Sequence, residues 1–276
     1  MRTLILSIIF ITSSVYAIDY TGGDIHSSDY KWLNLNLFRG DGQRGGFKKF
    51  DDTYLELEFG GRSGILDFYG YVDFLDIFDD KKNSGQHDSD NSFSKLDLRF
   101  SLDAIFEKDL ALGLVKEWYF ATEMINADSG AFGGLRVYWL GIGTDTQLPW
   151  LGLVGLNLQT RYFAENYGAS NEGKFDGYVF HMNWFKPLIT FNSTDSIAFQ
   201  GYFDYEFASN IEGSTRSPTA FQSYLGFWYH MKQYAIGYGA KIYQNMSNYR
   251  DDEAISPTVK VDSTGIGHYI NLTYKF

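Results

Sequence analysis

The sequence contains no cysteine, so a disulfide framework and a thiolate metal site are both excluded, and stability has to come from packing and strand pairing. Only 4 prolines interrupt its 276 residues. Beyond a short apolar stretch near the start, no window approaches the roughly 20 apolar residues that a membrane-crossing helix needs. Any passage through a bilayer must therefore be made by strands closed into a barrel. Basic residues are also in short supply, 23 Lys and Arg against 34 Asp and Glu, and the net charge of −11 argues against nucleic acid as a partner.

Aromatic residues are abundant: 21 Tyr, 24 Phe and 6 Trp, accompanied by 29 Gly. This usage suits short strands, tight turns and aromatic girdles at two membrane interfaces. A mean hydropathy slightly below zero fits as well, because a barrel strand needs an apolar residue only at every second position. At the start, Met1 and Arg2 give a basic end, residues 4–11 an apolar core, and Val15-Tyr16-Ala17 a small-residue close. Residues 1–17 are thus expected to be a secretory signal peptide, and residues 18–276 an outer-membrane β-barrel.

The closing stretch shows the pattern most clearly. Ile270, Leu272, Tyr274 and Phe276 fall on one face of an extended strand, and Tyr269, Asn271, Thr273 and Lys275 on the other. Similar period-two runs occupy residues 30–37, 53–60, 66–74, 94–101, 117–124, 135–143, 152–163, 176–185, 197–207, 220–230 and 233–243. About twelve runs is an even number, as bacterial barrels require. The expected fold is all-β, a single antiparallel up-and-down transmembrane β-barrel. If the last strand pairs with the first, no sticky edge is left. Connections 60–64, 144–151 and 231–232 are short and assigned to the periplasm, with the somewhat longer 102–116 and 187–196 in the same set. Connections 38–52, 77–93, 164–175 and 244–264 are long, polar and assigned to the cell exterior. Residues 18–29 read as a polar lead.

Several segments resemble a known family. Asp52-Thr53-Tyr54-Leu55-Glu56, Asp67-Phe68-Tyr69-Gly70-Tyr71, Lys116-Glu117-Trp118-Tyr119-Phe120-Ala121 and Asn166-Tyr167-Gly168-Ala169 resemble the nucleoside-specific outer-membrane channel Tsx. Gly23-Asp24-Ile25-His26, Asp29-Tyr30-Lys31-Trp32, Glu58-Phe59-Gly60-Gly61-Arg62-Ser63-Gly64, Trp184-Phe185-Lys186-Pro187 and Gly267-His268-Tyr269-Ile270 are closer still to outer-membrane protein K of the same family. The resemblance implies a twelve-stranded monomeric barrel in the outer membrane of a Gram-negative bacterium. It also implies a narrow pore that passes nucleosides, and a receptor role for some phages and colicins.

Strand parity nominates the inner wall. Glu56, Glu58, Asp67, Tyr69, Tyr71, Asp73, Arg99, Glu117 and Tyr119 are the pore-lining candidates, joined by Asp97, Glu123, Arg161, Tyr202, Asp204, Glu206, Tyr224, Trp228 and Lys241 on parity alone. Aromatic faces stack on a base, while carboxylates, Arg and Tyr bond ribose hydroxyls and base edges. Weak binding at successive sites lets a solute enter and leave. The alternative is that these charges pair across the lumen and brace the wall, with Arg99 held by Asp97, Glu56 or Glu58. The barrel would then be a receptor or structural element whose outer loops engage phage or colicin. Trp118, Phe120, Tyr178, Trp184, Phe199, Phe203 and Phe227 point to lipid by the same parity, and Trp139 fits either face.

The chemistry of an enzyme is not visible. Of His26, His87, His181, His230 and His268, none is paired with a serine in a Gly-x-Ser-x-Gly context, so no catalytic residue is nominated. Asp88, Asp90 and Asn91, and separately Asp251, Asp252 and Glu253, lack the Gly and distal Glu of a calcium loop and read as solvated acidic loops. No metal and no cofactor is expected.

Overall fold

Strands that alternate apolar and polar residues make a sheet with one lipid face and one wet face, and closure satisfies the edge hydrogen bonds that lipid cannot. The structure is a computed structural model that describes residues 24–78, 92–130 and 133–276. Twelve strands close into an antiparallel barrel in which neighbours in sequence are neighbours in space. They are β1 (Tyr30–Gly45), β2 (Lys48–Ser63), β3 (Leu66–Phe74), β4 (Ser92–Ser101), β5 (Val115–Gly130), β6 (Gly133–Leu148), β7 (Gly152–Asn166), β8 (Lys174–Thr190), β9 (Ser196–Phe207), β10 (Ala220–His230), β11 (Tyr234–Gln244) and β14 (Gly265–Lys275). Two short strands, β12 (Ala254–Ser256) and β13 (Val259–Lys260), pair separately within the connection before β14.

The seam closes as the alternation requires. β14 pairs with both β11 and β1, with Leu37 opposite Leu272 and Leu35 opposite Tyr274. On β14, Ile270 and Leu272 are exposed to the outside, and Tyr269, Asn271 and Thr273 are buried inside. Leu33, Leu35 and Leu37 of β1, Ile142, Leu158 and Ile236 extend the outward apolar band. Phe120, Tyr178 and Phe227 stand exposed on that face as expected. Trp184 shares it but lies nearly buried, its ring flat over Gly201 and against Phe199.

The expected connections need correction where strands outlast their apolar alternation. Residues 38–52 are not a long loop: β1 and β2 run on as a paired ribbon to a tight turn at Gly46, with a bulge between Gly40 and Gln43. Arg39, Asp41, Lys48 and Lys49 sit there, where neither face meets lipid, so the pairing persists without the hydropathy signal. The connection placed at 60–64 likewise shrinks, because β2 continues to Ser63. Strand β8 continues past Pro187 to Thr190, leaving a turn in which Asn192 Oδ1 accepts from the Thr194 and Asp195 amides at 2.8 and 2.9 Å.

Connection 102–116 holds a short helix, α1 (Leu102–Phe106), that alternation had no means to reveal. Ser101 Oγ accepts from the Ala104 amide at 3.1 Å as its N-cap, and Glu107 ends it in the left-handed region. Asp103 ties it to β5 by accepting from the Trp118 amide at 3.0 Å. The expected signal peptide, most of connection 77–93, His87 and the acidic group Asp88, Asp90 and Asn91 lie outside the described residues. In the other acidic group, Asp251 caps the Ser263 and Thr264 amides at 2.8 and 3.0 Å, and Asp252 meets Lys260 at 2.7 Å. Those carboxylates are occupied by their own loop.

Candidate functional site

The nine pore-lining candidates all sit on strand positions whose parity turns them inward, and the lumen they enter divides into an ionic wall and an aromatic wall. At the end that carries the short turns, the ionic wall is a closed network. Arg62 forks onto Glu117, Nη2 to Oε1 at 2.5 Å and Nη1 to Oε2 at 3.0 Å, and also donates to Tyr119 Oη at 3.1 Å. Tyr119 donates in turn to Asp145 at 2.9 Å. Arg99 donates to the same Asp145 at 2.8 Å, approaches Asp67 at 3.8 Å and lies 3.8 Å over the Tyr119 ring. The expectation that Arg99 would pair with Asp97, Glu56 or Glu58 is therefore corrected. Opposite neighbours on β3 and β6 outcompete it, because Asp67 is the direct cross-strand partner of Arg99.

One layer further in, Glu58 accepts from Asn34 at 3.2 Å, Asn36 at 3.2 Å and Tyr69 at 3.1 Å, and Glu56 accepts from Asn36 at 2.7 Å. Glu56 and Asp73 are direct cross-strand partners. Lys95 meets Glu123 at 2.8 Å and caps the Trp139 ring at 5.3 Å, which settles Trp139 as inward-facing. Across the lumen, His181 Nδ1 and Asp204 Oδ1 are 2.5 Å apart, and Gln222 donates to Asp204 at 2.9 Å. Arg161 pairs with Glu206.

The aromatic wall rises from β9, β10, β11, β14 and the seam. Tyr202 and Tyr224 stack at 6.4 Å, and Tyr224 meets Tyr269 edge-on at 6.0 Å. Phe38 stacks on Tyr54 at 5.0 Å and touches the edges of Trp228 and Tyr269 at 6.4 Å each. Glycines make these rings possible. A Cβ on Gly237 would stand 2.5 Å from the Trp228 ring, and one on Gly239 would stand 2.4 Å from Tyr224, so both rings lie flat against the wall. Lys241 caps Tyr202 and Tyr243 at 5.7 and 5.3 Å.

The two walls face one another within electrostatic reach, Tyr71 to Tyr202, Asp73 to Lys241 and Lys95 to Asp204. Asp73 Oδ1 and Gln222 Oε1 are buried without a hydrogen-bond partner among the described residues. The candidates thus split: Asp67, Arg99, Glu117 and Tyr119 are consumed in the network near the short turns. Glu58 and Tyr69 bond each other, while Glu56, Tyr71 and Asp73 face the aromatic wall. Sequence reading missed Arg62, hidden in a glycine-rich stretch taken for a turn, and Asp145, in a segment taken for a connection. It put Tyr54 and Tyr269 on the inward face without nominating them, and it passed over Tyr243, whose parity with Lys241 was the available signal.

The histidines take separate places. His26, in the lead, bonds Asp29 at 2.9 Å, which raises its pKa. Asp29 is held below the usual range first by the Gly64 amide at 2.8 Å and then by His26. His181 and His230 face the lumen, whereas His268 stands on the outer face, where it bonds Tyr238 Oη at 2.8 Å.

Comparison with known proteins decides the relationship. The family model described as nucleoside-specific channel-forming protein, Tsx, matches residues 27–276. The chain belongs to the Tsx channel family. Outer membrane protein OmpK of Vibrio parahaemolyticus is 40% identical over 275 residues, covering 99% of this chain and 98% of the relative. The nucleoside-specific channel-forming protein Tsx of Salmonella typhimurium is 30% identical over 262 residues, covering 90% and 89%. Among solved structures, the NanC porin aligns at a TM-score of 0.46 with 10% identity, over 88% of this chain and 100% of that one. The Tsx-family chain is a closed outer-membrane barrel of a Gram-negative bacterium, in a family of channels.

Proposed function

We propose that this barrel is a monomeric, substrate-selective, energy-independent channel through which nucleosides cross the outer membrane, after residues 1–17 have directed export. The observation that carries the reading is the lumen's division: stacked tyrosines on one wall opposite carboxyl groups on the other. A nucleoside has the same division. Its base stacks against Tyr202, Tyr224 and Tyr71, while ribose hydroxyls donate to Asp73, Glu56 and Gln222 Oε1. Ground-state contacts of this kind need be no stronger than passage allows, and nothing in the exchange requires a proton transfer or a covalent step.

The braced network of Arg62, Glu117, Tyr119, Asp145 and Arg99 serves the wall, and the solute contacts lie further along the lumen. Short turns face the periplasm in this reading. Single-channel current in a planar bilayer tests it, with adenosine or thymidine titrated in against a sugar and an amino acid. Nucleoside-specific block supports the channel; conductance without such block means a differently selective pore, and absence of conductance removes the reading. A second role, as a docking point for phage or colicin, is favoured by the exposed Ile255 and Val259 on the β12–β13 hairpin. Deleting that hairpin separates the two roles, since phage adsorption is lost and permeation is kept.

A further inference from the structure

The outer face near the short turns carries a cleft of about 350 Å³ lined by Leu114, Gln147, Leu148, Pro149, Trp150 and Lys186. Lys186 opens it to the outer face, since it shares the strand parity of Trp184 and lies opposite that of the lumen-facing His181. Lys186 is half-buried on β8 beside Trp184 and opposite Phe199 on β9. Its ammonium has no carboxylate and no acceptor among the described residues, whereas Lys95, Arg62, Arg99 and Arg161 are all paired. Trp150 is held in the left-handed region at φ 69°, unusual for so bulky a side chain, with its indole 6.1 Å from the Phe199 ring. The result is one unpaired cation among apolar side chains beside an exposed indole.

We propose that this cleft binds the headgroup of an anionic glycerophospholipid such as phosphatidylglycerol. Lys186 donates to the phosphate oxygens, and Trp150, Leu114 and Leu148 pack on the glycerol and the first acyl methylenes. A single lysine matches a single net negative charge. A zwitterionic headgroup returns its own ammonium towards Lys186 and gains less, and free phosphate has nothing to offer the apolar lining. The plainer account is a lysine that extends its stem over apolar surface and leaves its charge in water without choosing a lipid.

Native mass spectrometry of the full barrel in neutral detergent distinguishes these accounts, with phosphatidylglycerol, phosphatidylcholine and inorganic phosphate as separate titrants. One phosphatidylglycerol should be retained about fivefold more tightly than phosphatidylcholine, and inorganic phosphate should not be retained. Lys186→Gln should abolish the preference, and Lys232→Gln, in a turn away from the cleft, should leave it intact. Equal retention of the two lipids, equal effects of the two lysine variants, or retention of inorganic phosphate overturns the proposal. If Lys186→Gln fails to fold, Trp150→Ala carries the test, and unchanged retention in that variant overturns it as well.

Discussion

Arg62 on β2 and Glu117 on β5 form a two-pronged ion pair across the lumen, with both side chains about 5% exposed or less. Such a pair contributes little over an apolar one of the same shape, but its halves are costly apart. Glu117→Ala should destabilise the barrel by about 3–5 kcal/mol, read as a lower urea midpoint in detergent by tryptophan fluorescence. The double replacement Arg62→Met with Glu117→Leu should recover much of that loss. A double variant as unstable as the single one would show that the network matters for more than charge balance.

Tyr119 and Tyr202 should respond differently to removal. Tyr119 is fully buried and bonded to Arg62 and Asp145, so Tyr119→Ala is expected to lower stability. Tyr202 stands on the aromatic wall, and Tyr202→Ala should weaken nucleoside block of the current by about 5- to 150-fold, the range that base stacking provides. Block that survives Tyr202→Ala undiminished would move the binding site elsewhere.

Gly239 gives Tyr224 room to lie flat. With Gly239→Val the ring has to swing into the lumen, so single-channel conductance should fall while circular dichroism still reports a folded barrel. Gly237→Val should do the same through Trp228. Unchanged conductance in both would show that these rings do not border the conducting path.

The lead segment should respond to pH. His26 titrates above its ordinary value of about 6.5 because it bonds Asp29, so its attraction is complete below 6.5 and disappears as pH rises through the raised value. Asp29 titrates below its ordinary range because the Gly64 amide and His26 favour its charged form, so its part is complete above about 4 and is lost as pH falls through the lowered value. The tie is therefore strongest between about pH 4 and 6.5. An NMR titration of His26 should show the raised midpoint, and Asp29→Asn should return it to the ordinary value.

The barrel was legible because lipid imposes its demand at every second residue, and Ile270, Leu272 and their neighbours answer it without exception. That demand ends where lipid ends. Arg39, Asp41 and Lys48 therefore belong to strands whose extent no hydropathy pattern discloses, and α1 is fixed by the Ser101 cap in place of alternation. Parity likewise puts a side chain inside but does not choose its partner. Arg99 takes Asp67 and Asp145 in preference to Asp97 on its own strand or Glu56 and Glu58 on β2, because neighbours are set by register and barrel curvature. Tyr202 and Tyr71 were readable as lumen residues, yet their opposition appears only when the wall is curved into a circle.

The β1–β14 seam, where Thr273 donates to Asn36 at 2.6 Å, joins opposite extremes of the chain. Every other strand pairing in the barrel can be made by local hairpins as the sequence emerges. This one waits for the final residues, and until then two unsatisfied edges are exposed. Closure is consequently a commitment made by residues 265–275, and a copy truncated before residue 265 lacks the strand that joins β1 to β11 and has no means of sealing its sheet.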